Sequence, residues 1–318
     1  MKRCLITGVS GFVGRYLAEF LREKGYEVYG FDRTGAVIPG ATVQKVDLLQ
    51  KEAVADFVQQ VKPDFIFHLA AQSSVKKSWD DPAATMAVNV EGTRNLFQAV
   101  ISAKIDQSCI TLVVSSAEIY GIPASVPITE NHPLHPTNPY GESRLEQEKL
   151  IQEYREKWNL AIILCRSFPH TGPGQATDFV CSNFAFQIAQ IEAGNQESVL
   201  RVGNLDAERD FTDVRDVVNA YYLLSAKGKQ GTYNVCSGKV MSIASILKSL
   251  LQRSTVAITV EQEASRMRPS DIPILLGDNT LLRKTVAWEP SILFTQTLTE
   301  LLDYWRKHEK VIAKGSNT

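Results

Sequence analysis

The 318 residues are enough for one large or two modest domains with well-filled cores. Hydrophobic residues make up 44% and charged residues 22%, and the formal net charge of −1 gives no long-range attraction for nucleic acid or an anionic membrane, so any anion must be held by local groups. No apolar run reaches the ~18 residues of a transmembrane helix, and the short apolar stretch behind the basic start enters a glycine motif, unlike a signal peptide.

In chain order, KRCLIT (2–7) predicts a strand, residues 11–24 a helix and YEVYGF (26–31) a second strand. ATVQKV (41–46) predicts a strand, KEAVADFVQQV (51–61) a helix and DFIFHLA (64–70) a strand. A long helix follows over 83–104, then the strand CITLVVSS (109–116), a helix over 139–157 and the strand LAIILCR (160–166). Alternating helices and continuously apolar strands signal a parallel sheet covered on both faces. SFPHTGPGQ (167–175) is a loop by its Pro and Gly content, and the rhythm changes after it. Helices at about 179–194, 213–226, 242–252 and 295–307 then mix with strands such as GTYNVCS (231–237) and VAITV (256–260). The expected fold is α/β: a Rossmann-type doubly wound parallel sheet with a smaller, mixed α/β substrate-binding lobe. The dinucleotide-binding domain takes 1–167 plus about 213–238, the second lobe 168–212 and 239–310, and 311–318 form a flexible tail.

The loop Thr7-Gly8-Val9-Ser10-Gly11-Phe12-Val13-Gly14 leaves the first strand and opens the first helix. Gly8 permits the tight turn, Gly11 lets backbone approach a pyrophosphate, and Gly14 lets the helix lie close to the sheet; the helix N-terminus adds amide donors and partial positive charge. Glycine also punctuates ordinary turns, but strand before and helix after is the context a dinucleotide site requires. Asp32 ends the second strand, 18 residues beyond Gly14, where a carboxylate accepts hydrogen bonds from the adenosine ribose and repels a 2′-phosphate. This favours NAD(H), while the adjacent Arg33 could pair with a 2′-phosphate and keeps NADP(H) open. Asp47, after the third strand, is placed either to meet the adenine amino group or to enter the next helix.

Tyr140 and Arg144 begin a helix and fall four apart on one face. A tyrosine, with an ordinary pKa near ~10, is a poor acid or base at neutral pH unless a nearby cation stabilises its phenolate. Alone, such a pair is more often a solvated helix face. Upstream, CITLVVSS delivers Ser115-Ser116-Ala117-Glu118-Ile119-Tyr120-Gly121 to the carboxyl end of its strand, where a doubly wound sheet places its site. The five cysteines (Cys4, Cys109, Cys165, Cys181, Cys236) form no CxxC pair, so neither a disulfide framework nor a zinc site is indicated, and a cytoplasmic compartment is expected. His132 and His135 flank Pro133 in a poor metal frame; His68 reads as a satisfied core residue, and Asn89 as a partner of backbone near the site.

Taken together, the glycine loop, HLAAQSSV (68–75), NVEGTRNL (89–96), SSAEIYG (115–121), YGESR (140–144), RSFPHTGPGQ (166–175) and RDFTDVRDV (209–217) resemble the extended short-chain dehydrogenase/reductases over nearly the whole chain. The resemblance implies that Ser116 holds the substrate hydroxyl or carbonyl and that Tyr140 transfers the proton while the nicotinamide transfers hydride. The residue at 144 would bind the nicotinamide ribose and tune Tyr140. It extends the cofactor site to Ser10, Phe12, Val13, Leu48, Leu69, Ala70 and Ala71, and the substrate site to Gln72, Ser73, His170 and Asn183. It also implies a homodimer formed through the two long helices. Two positions depart from the family: Arg144 stands where a lysine is usual, and Pro169 where an asparagine commonly contacts the substrate. Arginine keeps the charge but is bulkier and planar.

SSVKKSW (73–79) and VGNLDAERDFTDVRDVV (202–218) are similar to GDP-4-keto-6-deoxy-D-mannose reductases, and RPSDIPILLGDN (268–279) to both these and the GDP-mannose 4,6-dehydratases. A GDP-sugar is therefore the favoured substrate. Arg209 and Arg268 are planar cations suited to a diphosphate, unless they serve inter-lobe salt bridges, and Asp271 could accept the nucleotide ribose hydroxyls. Glu118 occupies the position of the dehydratase base, whereas Ala117 lacks the hydroxyl or carboxylate usual in dehydratases. The expected reaction is reduction of a C4 carbonyl, with dehydration, then epimerisation, as alternatives. A non-catalytic nucleotide-sugar-binding protein is the alternative of another class, supported by the two departures and opposed by the retained Ser116 and Tyr140.

Overall fold

The computed structural model describes residues 1–267 and 272–315, with side chains placed through residue 308. Its first half runs β1 (Arg3–Thr7), α1 (Phe12–Glu23), β2 (Glu27–Asp32), β3 (Ala41–Lys45), α2 (Lys51–Val61), β4 (Phe65–His68), α3 (Val75–Asp80) and α4 (Pro82–Met86). A π-helical turn (Ala87–Glu91), α5 (Gly92–Ser102), β5 (Ile110–Ser116), a 3-10 turn (Ala117–Tyr120), α6 (Pro139–Trp158) and β6 (Ile162–Ser167) follow. The second half runs β7 (His170–Thr171), α7 (Val180–Glu192), β8 (Val199–Val202), β9 (Glu208–Asp210), β10 (Thr212–Asp213), α8 (Val214–Lys227) and β11 (Gly231–Val235). It ends with β12 (Val240–Ser242), α9 (Ile243–Leu251), β13 (Thr259–Gln262), β14 (Ile274–Leu275), α10 (Thr280–Val286) and α11 (Phe294–Gly315).

Seven strands form one sheet in the order β11-β6-β5-β4-β1-β2-β3, and every neighbouring pair is parallel. The order reverses at β1, which opens a crevice at the carboxyl ends of β1 and β4, the topological switch point of a doubly wound sheet. Strand alternation divides the core: Leu5 packs with Val54, Leu96 and Ile151 from α2, α5 and α6, whereas Cys4 and Ile6 pack with Leu17, Val217 and Leu282 from α1, α8 and α10. A separate apolar cluster joins α7, α9 and α11 over β8. The chain crosses back through α8 into β11, which adds the last parallel strand at the edge.

Several elements depart from the periodicity. The long helix is interrupted by the π-helical turn at Ala87–Glu91, a feature common at functional sites. The strand expected at 256–260 lies at Thr259–Gln262, and α11 continues to Gly315, past the expected start of the tail. All five cysteines are free and buried, and burial pushes the Cys109 thiol up to about 12. Among the described residues, no helix is long and apolar enough to cross a membrane.

Candidate active site

The phosphate loop turns directly beside β4. Gly8 has φ +73°, and a Cβ there would stand 3.0 Å from Ala70 backbone, so the position needs both the left-handed backbone and the missing side chain. Gly11 is the N-cap of α1 and provides no side-chain cap, so the leading amides of the helix remain open to an anion. Residues of this loop therefore fit a dinucleotide pyrophosphate.

Asp32 is engaged by its surroundings: Oδ2 accepts from the Ser10 amide at 2.9 Å, and Oδ1 from the Thr34 amide, the Thr34 hydroxyl and the Gly35 amide at 2.8, 2.7 and 2.9 Å. Partial burial works against the charge, but the bonds from Ser10, Thr34 and Gly35 outweigh it and hold the carboxyl at about 2. Asp32 thus carries a fixed negative charge and ties β2 to the phosphate loop, while Arg33 beside it is exposed. The folded carboxyl titrates below an unfolded one, so its stabilisation is complete above pH ~4 and is lost as pH falls through about 2. The denaturation midpoint of Asp32→Asn is expected to lie below that of the unsubstituted chain at neutral pH. The gap should close over that acid window, and a gap that ignores pH contradicts the assignment.

Asp47 accepts from the Leu49 amide at 2.9 Å in a turn, and Leu48 is buried. Leu69, Ala70 and Ala71 are half-buried beyond β4. The Gln72 side chain is turned into its own loop, donating to the Ser74 carbonyl and the Thr85 hydroxyl and accepting from the Ser74 amide. Ser73 is exposed. Asn89 exchanges bonds with the Gln72 backbone at 2.9 and 3.1 Å and donates to Ser143 at 2.8 Å, the backbone role expected of it.

Tyr140 and Arg144 are brought together at the opposite wall. Asn138 caps α6 by accepting from the Gly141 amide at 2.9 Å, with Pro139 at the first helical position. Gly141 lets that end of the helix close onto the turn after β5, because a Cβ there would meet the Glu118 carbonyl at 2.9 Å. Both Tyr140 and Arg144 are buried, so they are not a solvated helix face. Arg144 Nε donates to the Tyr140 hydroxyl at 3.2 Å, and Nη1 donates to the Val114 carbonyl and Gln147 at 3.1 and 2.9 Å. Its described partners are a phenol, a carbonyl and an amide, none of them a carboxylate. The guanidinium is thus held in place against the phenol oxygen.

Ser116 Oγ accepts from the Glu118 amide at 3.2 Å, which leaves its O–H free to donate. Glu118 is half-buried, and its Oε2 accepts from Asn138 at 2.9 Å, so its position is tied to the head of α6.

On the far side of the crevice, the His170 ring stacks on Phe12 at 6.4 Å, and Tyr16 of α1 donates to the Pro173 carbonyl at 2.8 Å, clamping this loop to the phosphate loop. His170 Nδ1 meets the Phe168 carbonyl at 2.9 Å; a carbonyl only accepts, so the hydrogen is assigned to Nδ1 and Nε2 is left to accept. Burial lowers the His170 pKa. Pro169 contributes only its carbonyl, which receives the Thr212 amide at 3.0 Å. Asn183 donates to the Thr177 carbonyl at 3.1 Å and accepts from Gln187 at 2.6 Å. Arg209 Nη1 donates to the carbonyls of Glu208 and Ile272 at 2.9 and 2.6 Å; Arg268 and Asp271 lie outside the described residues.

The family described as GDP-mannose 4,6 dehydratase matches residues 5–301. The chain belongs to that family. It is 35% identical over 307 residues to GDP-6-deoxy-D-mannose reductase of Pseudomonas aeruginosa, covering 96% of this chain and 97% of the relative. Human GDP-mannose 4,6 dehydratase is 29% identical over 334 residues, covering 94% and 90%. The solved structure of RMD from Pseudomonas aeruginosa complexed with NADPH matches with a TM-score of 0.87 at 32% identity, covering 97% of this chain and 100% of that one. This is an NAD(P)-dependent enzyme of the nucleotide-sugar reductase and dehydratase family, built on the extended short-chain dehydrogenase/reductase fold.

Two buried groups join residues that the sequence leaves unconnected, and in the second His68, expected as a satisfied core residue, is bonded at both ring nitrogens. Arg166 and Glu148, each 8% exposed, form an ion pair at 2.7 Å, with Ser115 also donating to Glu148 at 2.7 Å. Arg166 further donates to Tyr120, whose pKa is pushed up to about 12, with burial the largest cause, and to the Glu130 carbonyl. The second group links Thr7, His68, Thr93 and Gln147 to Arg144. Only the helical spacing of Gln147 from Arg144 signalled it.

Proposed function

We propose that this enzyme reduces the C4 carbonyl of GDP-4-keto-6-deoxy-D-mannose, giving GDP-D-rhamnose. The observation that carries the reading is the buried Tyr140–Arg144 contact at 3.2 Å, with the similarity to the GDP-6-deoxy-D-mannose reductase in support. When bound, the nicotinamide supplies the hydride that reaches C4. Ser116 donates its free O–H to the C4 oxygen and fixes its direction. Tyr140 gives its proton to the same oxygen, and the phenolate left behind lies against Arg144 until solvent returns a proton. Reduction requires no base at C5, so the buried, unreactive Ala117 is tolerated.

Dehydration is the second reading because Glu118, the residue placed for a C5 base, is present and anchored by Asn138. A dehydratase uses its cofactor catalytically, whereas a reductase consumes it. Incubation with GDP-mannose, and separately with the 4-keto sugar plus reduced cofactor, distinguishes them by absorbance. The expected result is loss of reduced cofactor with the 4-keto sugar and no change in GDP-mannose. Formation of the 4-keto sugar from GDP-mannose without net cofactor change would transfer the central role to Glu118. Run in parallel, NADH should give the lower KM because of the Asp32 charge, with NADPH accepted beside Arg33. Assembly is read as a homodimer through α5 and α6. Sedimentation should show a species of twice the chain mass, and a monomer at all concentrations would contradict it.

A further inference from the structure

Behind Arg144 runs a buried hydrogen-bonded chain that the proton-transfer scheme leaves unused. Gln147 Oε1 accepts from Arg144 Nη1 at 2.9 Å, and Gln147 Nε2 donates to the Thr93 hydroxyl at 2.7 Å. Thr93 spends its own hydrogen on the Asn89 carbonyl at 2.7 Å, so toward His68 Nε2, 2.9 Å away, it acts as acceptor. That assigns the His68 hydrogen to Nε2 and leaves Nδ1 to accept from the Thr7 hydroxyl at 2.8 Å, which itself accepts from the Ala70 amide at 3.1 Å. Donors and acceptors agree from one end to the other. Thr7, Thr93 and Gln147 are each 0% exposed and His68 1%. Burial first, then the Arg144 charge, hold His68 down to about 3, so the ring stays neutral and the chain holds position without carrying charge.

The chain has a particular use beside an arginine. A lysine ammonium is a compact point charge that rotates about its bond, whereas a guanidinium places each N–H only when its plane is fixed. Both Nη1 hydrogens of Arg144 are used, one on the Val114 carbonyl and one on Gln147, and this sets the plane that puts Nε on Tyr140. We propose that Gln147 is a positioning residue for the Tyr140–Arg144 pair, backed by Thr93 and His68, and that this hold is what fits an arginine to position 144. The proposal rests on the reading of Tyr140 as proton donor, but the titration in its test does not require the substrate to be known.

The test is Gln147→Met, which keeps the volume and removes both hydrogen bonds, made in the unsubstituted chain and in an Arg144→Lys background. Charged and titratable groups around Tyr140 are Arg144 on its own helix, Glu118 on the turn packed against Gly141, and Tyr221 on α8, with His68 on β4 behind Arg144. The substitution changes none of them. Tyrosinate ultraviolet absorbance is titrated for each protein against its Tyr140→Phe counterpart, and kcat and KM are measured with the 4-keto sugar. With Arg144 present, the Tyr140 titration should move up by ~1 pH unit as the cation loses its hold, and kcat should fall ~10-fold with KM nearly kept. In the Arg144→Lys background both changes should stay within about twofold, because the pair is no longer coupled through a guanidinium plane. Equal losses in both backgrounds, or none in either, would overturn the proposal. If the Met variant does not fold, Thr93→Val releases the Gln147 amide without changing volume, and the same comparison decides. A titration that shifts as expected in a protein that reduces no 4-keto sugar would sink the proposed reaction and leave the positioning role standing.

Discussion

Tyr140→Phe is expected to lower turnover by ~10²–10⁴ while cofactor affinity and folding are nearly unchanged. The ring is 6% exposed and packs at the head of α6, and phenylalanine keeps that packing. What it removes is the oxygen on which Arg144 Nε rests and the proton that must reach the sugar oxygen. Rates are to be measured at saturating substrate across pH, with cofactor affinity followed by nicotinamide fluorescence. A variant that turns over at close to the unsubstituted rate places the chemistry elsewhere and removes the reason for burying Arg144.

The largest expected effect on stability comes from a pair that takes no part in the chemistry. Glu148→Ala should destabilise the fold by about 3–5 kcal/mol, because it leaves a buried guanidinium without its counter-charge. Arg166 gives Glu148 its Nε hydrogen at 3.2 Å to each oxygen and its Nη2 hydrogen at 2.7 Å, and the loss also strips Ser115 of its acceptor. Replacing both charges by methionine should cost much less than removing Glu148 alone, because no uncompensated ion remains. Urea midpoints of the single and double variants check this. A single variant within about 1 kcal/mol of the unsubstituted chain would show that Arg166 finds other compensation.

Much of this molecule was readable where a single local rule governs. Apolar β-branched runs gave β1, β4, β5 and β6 because these strands are buried on both faces and need no polar side. The glycine loop was readable because Gly8 must take a backbone and an approach that other residues resist. Spacing put Tyr140 and Arg144 on one helix face but could not say whether that face was wet, and burial decides it. The short strand Glu208–Asp210 has no apolar alternation to detect, since its pairing with β12 and β14 is a tertiary event. VAITV misled for the opposite reason: Ile258 packs toward the apolar cluster of α7, α9 and α11, and the pairing with β8 begins one residue later on an exposed edge. Asp32 was placed correctly at the end of β2, but its donors from Ser10, Thr34 and Gly35 depend on how two loops meet. The chain behind Arg144 is assembled from β1, β4, α5 and α6, so its members are far apart in sequence and only the fold joins them.

The most direct test of the central claim is to follow the hydride. GDP-4-keto-6-deoxy-D-mannose is incubated with the enzyme and with NADH or NADPH carrying deuterium at both hydrogens of the nicotinamide C4, and the product is read by mass spectrometry and proton NMR. Reduction at the Tyr140–Ser116 site predicts one deuterium per product molecule, located at C4 of the hexose, with an equal amount of oxidised cofactor formed. Consumption of the sugar with no deuterium in the product, or with label at any other carbon, would contradict the account.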